Sequence, residues 1–446
     1  MVDEETLAEI RRLESGQSTP EGRRRAVRAL VHEVASQGPT SAISPSQVPT
    51  AGTARDYESV LARLVANVQA TARSIERERC EAVPLVEELL ALPEGQQTLI
   101  AANHRRYHTW AVSQELQEAS FRAGLENPRL AVHLAQLAVR VAEKVDVSPA
   151  SDRLRIDLEV SAQAQLGNAQ RLGGQFVEAE SAFQRAHELL RSGTGDPLVE
   201  GKMLVLHGSL RNEQSRYSEG LAYATRGLSL FERVHDRHLQ GRALITIANA
   251  CGFDGKVEEG LKALRKARGL LDAQREPRLA WLVIHNAVTF LVEAERYAEA
   301  EEHFAEDLAV AEEIGVSSLD RLRLRWLGGR IALGLGRHEE ADPEMRAVVA
   351  GFVERGYTME AATAALELAV SLAERRQWSE VRELAGMLVP VFSSQEVEPE
   401  ALAALAVFRD AVLAETVEVA VVREVLAFLH RVDRDPTARF RPAPTS

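Results

Sequence analysis

The stretch VTFLVEAERYAEAEEHF, from Val288 to Phe304, decides the fold. A compact residue, Val288, lies inside one apolar run, and a second, Ala300, follows 12 residues later. Between them stands the short polar turn Ala294-Glu295-Arg296, with Phe290 and Phe304 beside the compact pair. Working outward, the same offset joins Gly167 to Ala179, Gly208 to Gly220, Ala248 to Gly260, Gly329 to Ala341 and Ala369 to Val381. The second members, 179, 220, 260, 300, 341 and 381, are spaced by 40 or 41 residues. Two antiparallel helices approach closely only where side chains are small, and short connections make neighbours antiparallel. The spacing therefore predicts six helix hairpins, turning at Gly173-Gly174-Gln175, Gln214-Ser215-Arg216, Asp254-Gly255-Lys256, Ala294-Glu295-Arg296, Gly336-Arg337 and Arg375-Arg376-Gln377. Leu166 with Phe183, and Phe290 with Phe304, are placed to fill the space between successive hairpins.

Leu166-Gly167, Ala179, Phe183 and Ala186, followed by Pro197, resemble the tetratricopeptide repeat (TPR) signature. Tyr297-Ala298-Glu299-Ala300 with Phe304, and Trp378-Ser379-Glu380-Val381, resemble the start of that family's second helix. The unit is longer than the family's usual 34 residues, and Ala224, Leu264 and Ala385 stand at the bulky second-helix position. The expected fold is all-α, a right-handed α-solenoid of antiparallel hairpins over residues 105–395, resembling the longer repeats of bacterial regulatory and scaffold solenoids. A repeat array explains how 446 residues need no single growing core.

Flanking segments complete the plan. Residues 57–104 read as N-terminal helices, Tyr57–Cys80 and Val83–Leu92, packing on the array, and residues 396–433 as a C-terminal capping pair. Residues 434–446, with three prolines, read as a loose tail. Ser, Pro, Thr and Gly crowd residues 36–56, which is linker chemistry. The linker isolates residues 1–35, where Thr19-Pro20-Glu21 is a good helix start. That segment resembles the small zinc-binding helical module of anti-sigma factors, with His32 at a ligand's place. No cysteine occurs in the first 79 residues, so no metal is expected there.

Formal net charge is −13, from 53 Lys+Arg against 66 Asp+Glu, which opposes direct nucleic-acid binding and attraction to an anionic membrane. Cys80 and Cys251 lie on separate expected helices and read as reduced, semi-buried thiols, suiting the cytoplasm. The acidic N-terminus is no signal peptide, and no apolar run is long enough to span a bilayer.

Candidate chemistry is sparse, and neither an enzyme nor a cofactor is expected. His104 and His108, four apart, would share a helix face, but Arg105 stands where a zinc protease needs Glu and two arginines repel a cation. In His235-Asp236-Arg237-His238 a third ligand is lacking, and Asp236 reads as a helix cap. Gly193-Thr194-Gly195-Asp196-Pro197 follows a helix and lacks Gly-Lys-Ser/Thr, so it reads as a helix stop. Arg23-Arg24-Arg25 with Arg28 reads as a solvated face.

The TPR resemblance implies that each first helix lines a concave groove, exposing positions six and three before the compact residue and one and four after it. This register gives Asn168, Arg171, Lys202, Ser209, Asn212, Arg242, Ile245, Asn249, His285, Thr289, Arg323, Trp326 and Arg330, with Asn286 close by. The set holds five cations and no carboxylate, in an acidic chain. Arg grips carboxylates in a fork, Asn pairs with an extended peptide backbone, and Trp326 would anchor apolar groups. The expectation is a scaffold or regulatory subunit holding a protein or acidic peptide partner. The alternative is a signal-responsive transcription or sigma-factor regulator acting through residues 1–35.

Overall fold

The computed structural model describes residues 54–124, 127–145 and 152–388, scattered positions between 405 and 412, residues 419–432, and Arg439. Segment 1–35, nearly all of the linker and nearly all of the tail lie outside these. The described chain divides into two compact units. One holds the residues up to Gly173 with Gln184–Asp196, the other Gly174–Phe183 and those from Pro197 onward.

In the first unit, α1 (Ala54–Leu90), α2 (Glu94–Asn103), a 3-10 turn (Arg105–Tyr107), α3 (Trp110–Ala123), α4 (Pro128–Ala142) and α5 (Asp152–Leu172) follow one another. The expected break between two helices near residue 81 is absent, because α1 runs unbroken through Pro84. Proline removes one hydrogen bond to a carbonyl four residues back. Here the apolar stripe Ala82, Val86, Leu89 continues past it into a buried cluster with Tyr107, Ala111, Val112 and Leu116, which offsets that loss. His104 and His108 do not share a helix either. His104 follows the end of α2, its Nδ1 accepts from Arg106 N, and His108 Nε2 bonds to Ala101 O. Cys80 is exposed, not semi-buried.

α6 (Phe176–Leu190) contributes to both units. The second unit then stacks five hairpins: α7 (Pro197–Glu213) with α8 (Tyr217–Arg233), α9 (Arg237–Phe253) with α10 (Val257–Arg268), and α11 (Pro277–Glu293) with α12 (Tyr297–Ile314). Next come α13 (Ser318–Gly334) with α14 (His338–Glu354), and α15 (Thr358–Glu374) with α16 (Trp378–Met387). α17 (Val419–Val432) packs on α15 and buries Val422, Val425, Phe428 and Leu429. No strand occurs among the described residues. The loop Gly193–Asp196 does follow a helix, and Asp157 of α5 receives Thr194 N at 3.1 Å.

All twelve compact positions are buried. At Gly208 the approach is backbone to backbone: an added Cβ would stand 3.0 Å from Gly220 O and 3.4 Å from Ala224 N. At Gly260 it would stand 3.2 Å from Ala248 O. Gly329 departs by one turn, its space being filled by Met345.

Each expected hairpin turn is a three-residue link whose middle residue is left-handed: Gly174, Ser215, Gly255, Glu295, Gly336 and Arg376. The amide after it reaches back five residues, as in Arg216 N to Arg211 O and Arg296 N to Leu291 O, both 2.8 Å. This closes the helix C-terminus in a Schellman arrangement. Non-glycine residues in that region cost about 1–2 kcal/mol. Exposed Glu295→Gly and Arg376→Gly are each expected to stabilise the protein by about 1 kcal/mol, and Gly336→Ala to destabilise it by a similar amount. Thermal unfolding midpoints check this; a lowered midpoint in both glycine variants would refute it.

Second helices start without side-chain caps at Arg216, Lys256, Arg296 and Arg337. Instead a glutamate three residues on, Glu219 or Glu299, grips Arg216 or Arg296 at 2.7 Å and sits favourably in the helix's first turn.

Candidate functional site

The first helices α7, α9, α11, α13 and α15 form a polar ladder in the second unit, with each rung joining one repeat to the next. Ser209 Oγ meets Thr246 Oγ1 at 3.3 Å, and Asn286 Nδ2 donates to Asn249 Oδ1 at 2.8 Å. Arg323 Nη2 reaches Glu360 at 3.3 Å, and Arg330 bridges Glu293 at 2.9 Å and Glu367 at 3.0 Å. These rungs share a separation of 37 residues, three or four short of the repeat. Adjacent first helices are thus displaced by about one turn, roughly 3.6 residues.

Trp326, half-buried, donates Nε1–H to Glu367 at 2.7 Å, stands edge-on to Phe352, and lies under the Arg330 guanidinium at 5.9 Å. Burial opposes the charge of Arg330, but the carboxylates of Glu367 and Glu293 outweigh it and hold its pKa above the ordinary value. Arg242 donates to both oxygens of Glu276, at 2.8 and 3.1 Å. Glu276 also bonds His238 Nε2, and His238 Nδ1 accepts Asp272 N. A backbone N–H only donates, so this ring carries its hydrogen on Nε2. His285 Nδ1 and Trp281 Nε1 both donate to buried Asp307 of α12. Thr289 Oγ1 donates to its own helix, at His285 O.

Four expectations need correction. Asn168, only 2% exposed, accepts from Arg171 in the first unit and is not presented on an open face. Buried Asn212 donates to Thr246 O and packs over Gly220. Residues four apart on a helix share a face, so a side chain one turn past Gly208 points at the second helix with it. Ile245 is buried for a similar reason of packing. The supposed carboxylate-free stripe is also wrong: Arg242, Arg323 and Arg330 each meet a glutamate. Lys202 is exposed and has no ion pair among the described residues. The glutamates escaped notice because they lie one turn off the repeat register; testing a 37-residue offset would have paired Arg323 with Glu360. Asp236 does cap α9, accepting Leu239 N at 2.9 Å. No group of three His, Cys, Asp or Glu is arranged to hold a metal, and no helix is long and apolar enough to cross a membrane, among the described residues.

Helix hairpins crossing at compact residues, stacked so that first helix meets first helix, define a TPR-like helical-repeat protein. No family model and no curated protein matches the chain. Among solved structures, it is similar to a Rap protein complexed with competence and sporulation factor, at 15% identity and a TM-score of 0.44, over 80% of this chain and 99% of that one. It is similar to aspartyl phosphate phosphatase F from Bacillus subtilis at 13% identity and a TM-score of 0.48, over 91% and 100%. A signal-transduction ATPase with a tetratricopeptide repeat sensor, from Pyrococcus horikoshii, gives 13% identity and a TM-score of 0.33, over 80% and 52%.

Proposed function

We propose that the first-helix face of the second unit binds an extended segment of another protein, making this chain an interaction scaffold or regulatory subunit. The observation that carries the reading is the Asn249–Asn286 pair. Its single hydrogen bond uses one donor of Asn286 and one lone pair of Asn249. The Asn249 amide N–H groups and the Asn286 Oδ1 keep their capacity, a donor and an acceptor one repeat apart. An extended backbone, with its alternating C=O and N–H, complements that arrangement. One end of the face supports a carboxylate on the partner. Arg323, with a side chain 39% exposed, makes one 3.3 Å bond to Glu360 and has donors left for a competing acid.

The test is selection of a randomised decapeptide library against the full chain, followed by affinity measurements. Asn249→Ala and Arg323→Glu are each expected to weaken the selected peptides about tenfold, or ~1.4 kcal/mol. Equal binding by both variants would overturn the reading. Circular dichroism confirms that the variants stay folded, as expected for half-exposed positions.

A further inference from the structure

Asp307 lies in the middle of α12 with 0% of its surface exposed. Each carboxylate oxygen receives one donor: Oδ1 takes Trp281 Nε1–H at 2.6 Å, and Oδ2 takes His285 Nδ1 at 3.0 Å. A carboxylate only accepts, so the contact places the imidazole hydrogen on Nδ1. A neutral ring has one such hydrogen, and Nε2 is left as an acceptor. That nitrogen has no partner among the described residues and is not sealed from solvent, the side chain being 15% exposed. His285 directly precedes Asn286, half of the amide pair, in the sequence of α11. Few surface groups of the face are acceptors only: the arginines and Lys202 donate, and the glutamates are engaged by them.

We propose that His285, locked by Asp307 in the Nδ1–H tautomer, is an acceptor subsite that takes a backbone N–H of the bound segment beside the Asn249–Asn286 pair. The inference rests on the binding role proposed for that face. Trp281 fixes the logic of a sharp test. In Asp307→Asn the Trp281 N–H still needs an acceptor, so the amide oxygen stays toward Trp281 and the NH2 turns to His285. The amide then donates to Nδ1, the ring hydrogen moves to Nε2, and the subsite changes from acceptor to donor at constant volume.

Histidine-selective isotope labelling of the full chain, with the resonance assigned by its loss in His285→Gln, reads the tautomer by NMR. The expected result at neutral pH is Nδ1–H in the wild type and Nε2–H in Asp307→Asn. Affinity is then measured for the tightest decapeptide from the library and for its backbone N-methylated series, one position at a time. One N-methyl group is expected to cost the wild type about tenfold and Asp307→Asn little, and the parent peptide to bind Asp307→Asn about tenfold more weakly. A wild-type ring protonated at Nε2 overturns the proposal, as does unchanged peptide affinity once the tautomer has inverted. Should Asp307→Asn not fold, His285→Phe replaces it: a tenfold loss supports the subsite and undiminished affinity refutes it. Failure of every library peptide to bind defeats the reading of the face and the subsite together, whereas binding indifferent to these changes defeats the subsite alone.

Discussion

Gly208→Leu is expected to destabilise the protein by about 3 kcal/mol, the upper range for overpacking a closely packed core. The hypothetical Cβ already stands 3.0 Å from Gly220 O and 3.4 Å from Ala224 N, so its neighbours are backbone and cannot rotate away. Relief requires α7 and α8 to separate, which strips contacts along the whole pair. Asn212 is affected too, because its amide lies over Gly220 while donating to Thr246 O in the next repeat. Urea denaturation checks the loss, with Gly255→Leu as a control for glycine removal outside a crossing, where a strained turn but no clash is expected. A Gly208→Leu midpoint equal to that of the wild type would contradict the crossing.

Arg330→Met is expected to cost about 3 kcal/mol at neutral pH, the scale for removing one partner of a largely buried ion pair. Only 18% of the Arg330 side chain is exposed, and it compensates Glu293 and Glu367 while covering Trp326. Its removal leaves Glu293 and the largely buried Glu367 without the guanidinium they share. Adding Glu367→Gln and Glu293→Gln to Arg330→Met is expected to restore most of the stability. Urea midpoints at neutral pH decide it; a loss below about 1 kcal/mol would show the network to be a solvated surface feature.

Hairpin turns and crossings were legible in the sequence because both are local. Gly208 and Gly220 meet across a single tight turn, so a fixed offset exposes them, and Ser215 or Glu295 is forced left-handed by the same geometry. The rungs were not legible in that register, because Arg323 meets Glu360 through a one-turn displacement that no single hairpin encodes. Asp307 was hidden differently: among 66 acidic residues nothing local marks the one carried into a core, and only Trp281 and His285 on another helix reveal its use. The break expected between Cys80 and Val83 did not occur, because the buried stripe Ala82, Val86, Leu89 carries one helix across it. Segment 1–35, on which the alternative of a sigma-factor regulator depends, lies outside the described residues.

The one-turn displacement between neighbouring first helices has a consequence for how this chain could be rebuilt. Hydroxyl meets hydroxyl at one joint, amide meets amide at the next, and guanidinium meets carboxylate further on. Each interface is therefore keyed to its own neighbour, and excising the α11–α12 hairpin would bring the Asn249 amide against Leu327, two residues before the next crossing. Modules of this stack are not interchangeable bricks; their order is written into the mating surfaces, which also disfavours exchange of hairpins between two copies.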